Sequence, residues 1–213
     1  MIFADRAEAG RALGEALSAY SGEDAAVLGI PRGGVVVAAE IAVALAGSLD
    51  VVVPRKLGAP GNPELGLGAI APGVRVLDQL TIRALGVSTE YLEREIERQE
   101  REIERRERLY RSGAPPVELE GRTGIVVDDG IATGGTATAA LRWVRARGAA
   151  RVVLAVPVAP TATMRRMAGE ADEIVVLQMP DLFHAVGQWY RRFEQVEDDE
   201  VIRVLARATG AGS

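Results

Sequence analysis

Short runs of β-branched and aliphatic residues recur along this chain, and two of them end in a polar, glycine-bearing turn that opens a stretch with helical periodicity. Residues 25–30 are the first such run, followed at once by Pro31-Arg32-Gly33-Gly34 and an apolar helix ending near Gly47. Residues 49–53, 125–127, 151–156 and 174–177 repeat the pattern. This alternation predicts an α/β fold, a parallel twisted sheet flanked by helices, with ligands at the carboxyl ends of the strands. A leading helix is predicted over residues 5–20, with Asp5 as its N-cap and Ala9, Leu13 and Leu17 on its apolar face. A closing helix is predicted over residues 201–208, where the preceding Glu197-Asp198-Asp199-Glu200 reads as a solvated start that suits the helix dipole.

Two segments break the rhythm. Residues 54–65 hold three prolines, two glycines and the basic pair Arg55-Lys56, so they are predicted to be a mobile loop, with Gly58, Gly61 and Gly66 as hinges. Residues 66–71 and 74–77 then read as a strand pair around Pro72-Gly73. The second break is an inserted helical arm over 88–112, rich in Glu and Arg, with Ser88 and Thr89 available as caps. Glu97 with Arg101 and Glu104 with Arg108 are spaced to support a helix. Its narrow apolar stripe of Leu92, Ile96, Ile103 and Tyr110 is interrupted by Gln99 and Arg106. Such charge lacing favours a surface helix laid on its own domain over a dimerising or lid helix, and a homodimer stays open.

At 213 residues and 48% hydrophobic content the chain suits one globular domain, 1–213, with residues 179–210 as a carboxyl-terminal segment. No long apolar run predicts a membrane span, and the amino terminus has no apolar signal core, so a cytoplasmic location is expected. The absence of cysteine removes disulfides, zinc-thiolate sites and cysteine nucleophiles. A net charge of -5 argues against a broad nucleic-acid surface, whereas a phosphate-rich small molecule needs only a local basic cluster.

Candidate chemistry concentrates after the strand at 125–127, in Asp128-Asp129-Gly130-Ile131-Ala132-Thr133-Gly134-Gly135-Thr136. Two adjacent carboxylates at a strand end require a cation, hydroxyls or solvent. Thr133 to Thr136 offer hydroxyls and glycines at the start of a helix predicted over 137–147, where backbone N–H groups form an anion site. Together they suit a sugar phosphate. A Walker loop is excluded because Thr136, not lysine, follows Gly135, and no Gly-x-Gly-x-x-Gly opens a helix here. Arg32, Gly33 and Gly34 repeat the strand-to-helix geometry with a guanidinium that can grip phosphate oxygens in bidentate fashion. Arg55 and Lys56 follow the next strand at the same sheet edge, where they can neutralise a leaving group.

The stretch from Ile125 to Thr136 resembles the signature of the type I phosphoribosyltransferases: hydrophobic residues, two acids, two spacers, a small residue and Thr-Gly-Gly-Thr. The segments from Arg55 to Pro60 and from Ala185 to Tyr190 are similar to a bacterial subgroup of that family. The resemblance implies that Asp128 and Asp129 hold the ribose hydroxyls of phosphoribosyl pyrophosphate, and that Ala132, Thr133, Gly134, Gly135 and Thr136 surround its 5′-phosphate. It implies Arg32, Gly33 and Gly34 for the pyrophosphate, Arg55 and Lys56 as catalytic residues, and Mg2+ bridging pyrophosphate and ribose, with Asp128 and Asp129 contacting it indirectly. The resemblance also implies a hood after the last core strand, carrying Phe183 and His184 against the acceptor, whereas the residues themselves read Trp189, Tyr190 and Phe193 as aromatics that glue the tail to the leading helix. Where many purine enzymes carry an acid that meets the purine, this chain has Ala132, which puts 6-oxopurine salvage in doubt. The implied partners are phosphoribosyl pyrophosphate and an unidentified acceptor; a regulatory protein that binds the sugar diphosphate without turnover is the alternative.

Overall fold

A computed structural model describes residues 2–208 of the chain. Its strands are β1 (Ala26–Gly29), β2 (Ser48–Val51), β3 (Arg55–Ala59), β4 (Asn62–Ala71), β5 (Val74–Leu77), β6 (Thr123–Val127), β7 (Arg151–Val158) and β8 (Glu173–Gln178). Its helices are α1 (Arg6–Ala16), α2 (Gly33–Leu45), α3 (Gln79–Ala84), α4 (Thr89–Arg111), α5 (Gly135–Ala146), α6 (Thr161–Met167) and α7 (Asp198–Ala208). Five strands form one parallel sheet in the order β2-β1-β6-β7-β8, and β3-β4-β5 form a separate antiparallel sheet.

Side-chain alternation divides the core into two layers. Ile125, Val127, Val153 and Ala155 pack on the side of α1, α2, α4 and α7, whereas Val126, Val152, Leu154 and Val156 pack toward α5 and α6. Because both faces are covered, these strands read as continuous apolar runs rather than as alternating ones. The predicted α/β sheet is therefore the observed one. Asp5 caps α1 through a bond from the Glu8 amide at 3.0 Å, although α1 stops at Ala16 and the rest of the predicted span is a short 3-10 turn, Ser18–Tyr20.

The region expected to be a mobile loop is instead the β3-β4 hairpin. Pro60-Gly61 makes its turn, with Gly61 at φ 73°. Pro63, which would break a regular ladder, falls where the register shifts, between the pairs Gly58↔Gly66 and Ala59↔Asn62. Leu57 and Ala59 are buried and anchor the hairpin. The prolines and glycines here mark a turn and a bulge, not a hinged loop.

Helix α4 is capped by Ser88, whose Oγ accepts from the Tyr91 amide at 3.2 Å. Leu92, Ile96, Ile103 and Tyr110 are all buried, so the arm lies along its own domain. The exposed pairs Glu97–Arg101 and Glu104–Arg108 close at 4.0 and 3.9 Å and add little stability. The terminal segments meet: the Phe3 amide donates to the Trp189 carbonyl at 2.9 Å, the Arg191 amide donates to the Phe3 carbonyl at 2.8 Å, and the Phe3 and Tyr190 rings lie 5.7 Å apart. Of the expected carboxyl-terminal segment 179–210, residues 209 and 210 lie outside the described residues, as do 1 and 209–213 of the single domain 1–213. Among the described residues no helix is long and apolar enough to cross a membrane.

Candidate active site

Strand β6 stays apolar up to Val127 and then delivers Asp128 and Asp129 at the carboxyl edge of the sheet. The Asp129 carboxylate accepts from Arg6 Nε at 2.7 Å, and these two side chains are 16% and 11% exposed. The Asp129 amide donates to Asp128 Oδ1 at 2.9 Å, and its carbonyl accepts from the Tyr190 hydroxyl at 2.6 Å. Burial pushes the Asp128 carboxyl well above the ordinary carboxylate range, and the neighbouring Asp129 charge adds to the push. Burial raises Asp129 as well, with Arg6 opposing it. Two crowded carboxylates with one arginine between them are short of positive charge. The donor set, hard oxygen on one acid pair, would suit Mg2+, which Asp128 and Asp129 would hold. Among the described residues no cluster of three or more His, Cys, Asp or Glu forms a protein-only metal cage.

Two helices open toward this pair, and neither start carries a side-chain cap. Helices α1, α3 and α4 are capped by Asp5, Asp78 and Ser88, whereas α2 begins after Arg32 and α5 after Gly134 without such a bond. Such starts can offer amides to an anion, although the Val35 amide of α2 already donates to the Arg32 carbonyl at 3.2 Å. Gly134 sits at φ 84°, and a Cβ there would meet Met167 Sδ at 2.6 Å, so the α5 start needs glycine for both conformation and space. At the α2 start the glycines serve packing. A Cβ on Gly33 would lie 1.9 Å from Asp129 Oδ2, and one on Gly34 would lie 2.7 Å from the Val127 carbonyl. The expected approach of phosphate to Gly33 and Gly34 is thus joined by a second role, seating the acid pair.

A cleft of about 580 Å³ joins these parts, lined by Arg32, Gly33, Arg55, Lys56, Asp128, Asp129 and Thr136 among the predicted residues. Gly34 lies beneath it against β6, and Ala132, Thr133, Gly134 and Gly135 are not in its wall. Arg32 pairs with Glu197 at 3.3 Å and sits 3.9 Å from Asp198, so the acids expected to be a purely solvated helix start also face the cleft arginine. Arg55 Nε donates to Gln99 Oε1 at 2.9 Å. Burial lowers the Arg55 pKa, with the nearby Arg106 charge adding to the effect. Lys56 Nζ is tied to the Glu64 carbonyl across the hairpin.

Phe183 and His184 do not line this cleft; Phe183 is half-buried and His184 exposed. The aromatic wall comes from Phe193, whose expected role is only to glue the tail. Phe193 stacks on Tyr190 with centroids 5.0 Å apart, and the Arg6 guanidinium lies over the Phe193 ring, 3.9 Å from its centroid. Arg6 also donates to the Glu194 carbonyl at 2.8 Å, and residues 194–196 continue the wall. Arg6 gives no local sequence signal, because its partner Asp129 is 123 positions away. Gln99 gives one, as a polar break in an apolar stripe. Ala132 is exposed, and its carbonyl accepts from Thr163 Oγ1 at 2.7 Å.

With this geometry in hand, the chain compares closely with proteins already described. Two Mycobacterium tuberculosis proteins (strains CDC 1551 / Oshkosh and H37Rv), whose names place them provisionally among the phosphoribosyl transferases, are 49% identical over 208 residues, 97% of this chain. The chain spans about half, 47%, of the length of those relatives. The crystal structure of TT1426 from Thermus thermophilus superimposes with a TM-score of 0.83 at 46% identity, covering 97% of this chain and 99% of that one. The phosphoribosyl transferase domain family matches residues 4–192, and with these relatives it follows that the chain belongs to that family.

Proposed function

We propose that this chain transfers the 5-phosphoribosyl group from phosphoribosyl pyrophosphate to a nucleobase or related acceptor. The carrying observation is a cleft whose wall brings the acid pair together with Gly33 at the uncapped α2 start, Thr136 in the first turn of α5, and the basic residues Arg32, Arg55 and Lys56. A sugar bearing phosphate at both ends matches that distribution, its hydroxyls on Asp128 and Asp129 and its 5′-phosphate at the α5 start near Thr133 to Thr136. The acceptor's lone pair attacks the anomeric carbon as the bond to pyrophosphate breaks, with inversion, and the electron pair leaves on pyrophosphate. Mg2+ would supply charge stabilisation where that leaving group develops it. Arg32 and the Arg55-Lys56 pair would add theirs, so the protein's contribution is orientation and electrostatics. The Phe193-to-Val196 wall, covered by Arg6, is where the acceptor would enter. An alanine at 132 offers no side-chain acceptor to a purine proton, which favours a pyrimidine, another heterocycle or a non-base nucleophile.

The test is calorimetry with phosphoribosyl pyrophosphate and Mg2+, followed by an acceptor panel monitored for pyrophosphate. Replacing both acids, Asp128→Asn with Asp129→Asn, is expected to weaken binding at least about tenfold. Failure of the wild-type protein to bind the sugar diphosphate while unrelated nucleotides bind would overturn the reading.

One observation favours a second reading, a regulatory protein that binds the same ligand without turnover. Arg55 and Lys56 sit in a hairpin held by Gln99 and Glu64 rather than in a free loop. In an enzyme, the Arg55→Ala, Lys56→Ala double variant loses about a hundredfold more turnover than affinity. Ligand binding with no acceptor ever releasing pyrophosphate would favour the regulator.

A further inference from the structure

The polar break in the α4 stripe is the point at which that helix meets Arg55, which lines both the cleft and a neighbouring cavity of about 320 Å³ that Gln99 also lines. Gln99 is 5% exposed and Glu95 is 6% exposed, the two polar side chains buried beside the apolar stripe of α4. The Gln99 amide lies between a carboxylate, which only accepts, and a guanidinium, which only donates. That admits one orientation: Nε2 donates to Glu95 Oε1 at 2.9 Å, and Oε1 accepts from Arg55 Nε at 2.9 Å. Glu95 is itself gripped by Arg98 through two bonds, at 2.8 and 2.9 Å. Among the described residues Arg55 has no ion pair, and Glu102, which lines the same cavity as Arg55 and Gln99, is engaged by Arg105 and Arg106 at 2.8 and 2.6 Å. The choice of a neutral amide matters. A carboxylate at position 99 would orient Arg55 and also cancel its charge, whereas the amide orients it and leaves the charge available to an anion.

We propose that Gln99, fixed in orientation by buried Glu95, is a positioning residue that holds Arg55 toward the cleft for a diphosphate. The inserted helix is then a bracket for the anion site rather than a decoration of the surface. A second contact agrees: Tyr110 donates to Asp198 Oδ1 at 2.7 Å, and that oxygen lies 3.9 Å from Arg32, so α4 also backs the other cleft arginine. The inference rests on the reading of Arg55 as a diphosphate-binding group.

The experiment is calorimetry in Mg2+ with three probes: inorganic pyrophosphate, phosphoribosyl pyrophosphate and ribose 5-phosphate. Gln99→Met, similar in length and apolar, is expected to lower affinity for the first two about tenfold and to leave ribose 5-phosphate within about twofold. Gln99→Glu is expected to weaken pyrophosphate at least as much, about tenfold, because it keeps the contact but cancels the charge. Arg55→Ala should reproduce the loss, and adding Gln99→Met to it should change affinity less than about twofold if the two act as one unit. If Arg55→Ala leaves pyrophosphate binding intact, the diphosphate reading of Arg55 fails. If Arg55→Ala weakens binding but Gln99→Met does not, or if Gln99→Met weakens all three probes equally, the positioning role fails. Should Gln99→Met not fold, Glu95→Gln tests the same relay by freeing the amide to turn, with an intermediate loss for pyrophosphate expected and no loss counting against it.

Discussion

Alanine at position 33 is expected to weaken phosphoribosyl pyrophosphate binding by about two orders of magnitude while costing the fold only about 1–3 kcal/mol. The added Cβ would lie 1.9 Å from Asp129 Oδ2, 2.6 Å from Asp129 Cγ and 2.7 Å from Arg6 Nε. Those atoms cannot simply swing away, because Arg6 holds the carboxylate at 2.7 Å and Tyr190 holds the Asp129 carbonyl at 2.6 Å. Gly33 does not sit at positive φ, so the whole effect is space at the acid pair rather than backbone freedom. Gly34→Ala should behave differently: its Cβ would meet the Val127 carbonyl at 2.7 Å and Asp128 Cα at 2.9 Å, both backbone, and its cost falls on folding first. Calorimetry beside a thermal melt separates the two variants. A Gly33→Ala protein that binds the sugar diphosphate within about threefold of wild type would show that the acid pair is not where the ribose sits.

The strands and the acid loop are legible in sequence because their causes are local. Ile125 to Val127 must be buried on both faces, and Asp128-Asp129 must then emerge at a strand end, whatever the rest of the chain does. The Pro54-to-Leu65 region misleads because composition cannot say whether a proline interrupts a ladder or occupies its bulge; only the pairing across from Gly58 and Ala59 decides it. Arg6 is invisible for a different reason. Its role depends on the termini meeting, and a contact across 123 positions leaves no pattern in either segment. Gln99 lies between these cases: the break in the stripe is visible, and a polar residue at a core-facing position of a helix always has a partner to find. Phe193 carries no mark separating an aromatic that glues a tail from one that walls a cleft. It does both, stacked on Tyr190 and lining the cleft beside Arg6.

The largest loss of stability is expected from Asp50→Ala, about 3–5 kcal/mol, which for a chain of this size is a Tm fall on the order of 10 °C. Asp50 is 5% exposed at the end of β2, and its carboxylate satisfies three donors: the Val51 amide at 2.7 Å, the Val117 amide at 2.9 Å and Arg111 Nε at 2.9 Å. Arg111 in turn donates to the Val51 carbonyl at 2.9 Å and pairs with Glu107 at 3.0 Å, which pins the last turn of α4 to the sheet. Burial alone would lower the Arg111 pKa; Asp50 and Glu107 together reverse that and raise it. Removing the carboxylate therefore leaves a buried guanidinium with Glu107 as its remaining ionic partner and strands two amides at once. The paired variant Asp50→Leu, Arg111→Met removes both charges and should recover most of the guanidinium part of the loss, leaving the cost of the two unbonded amides, about 1–3 kcal/mol each. Thermal melts of the single and paired variants decide the matter, and an Asp50→Ala protein melting within about 2 °C of wild type would mean that α4 is held to the domain by its apolar stripe alone.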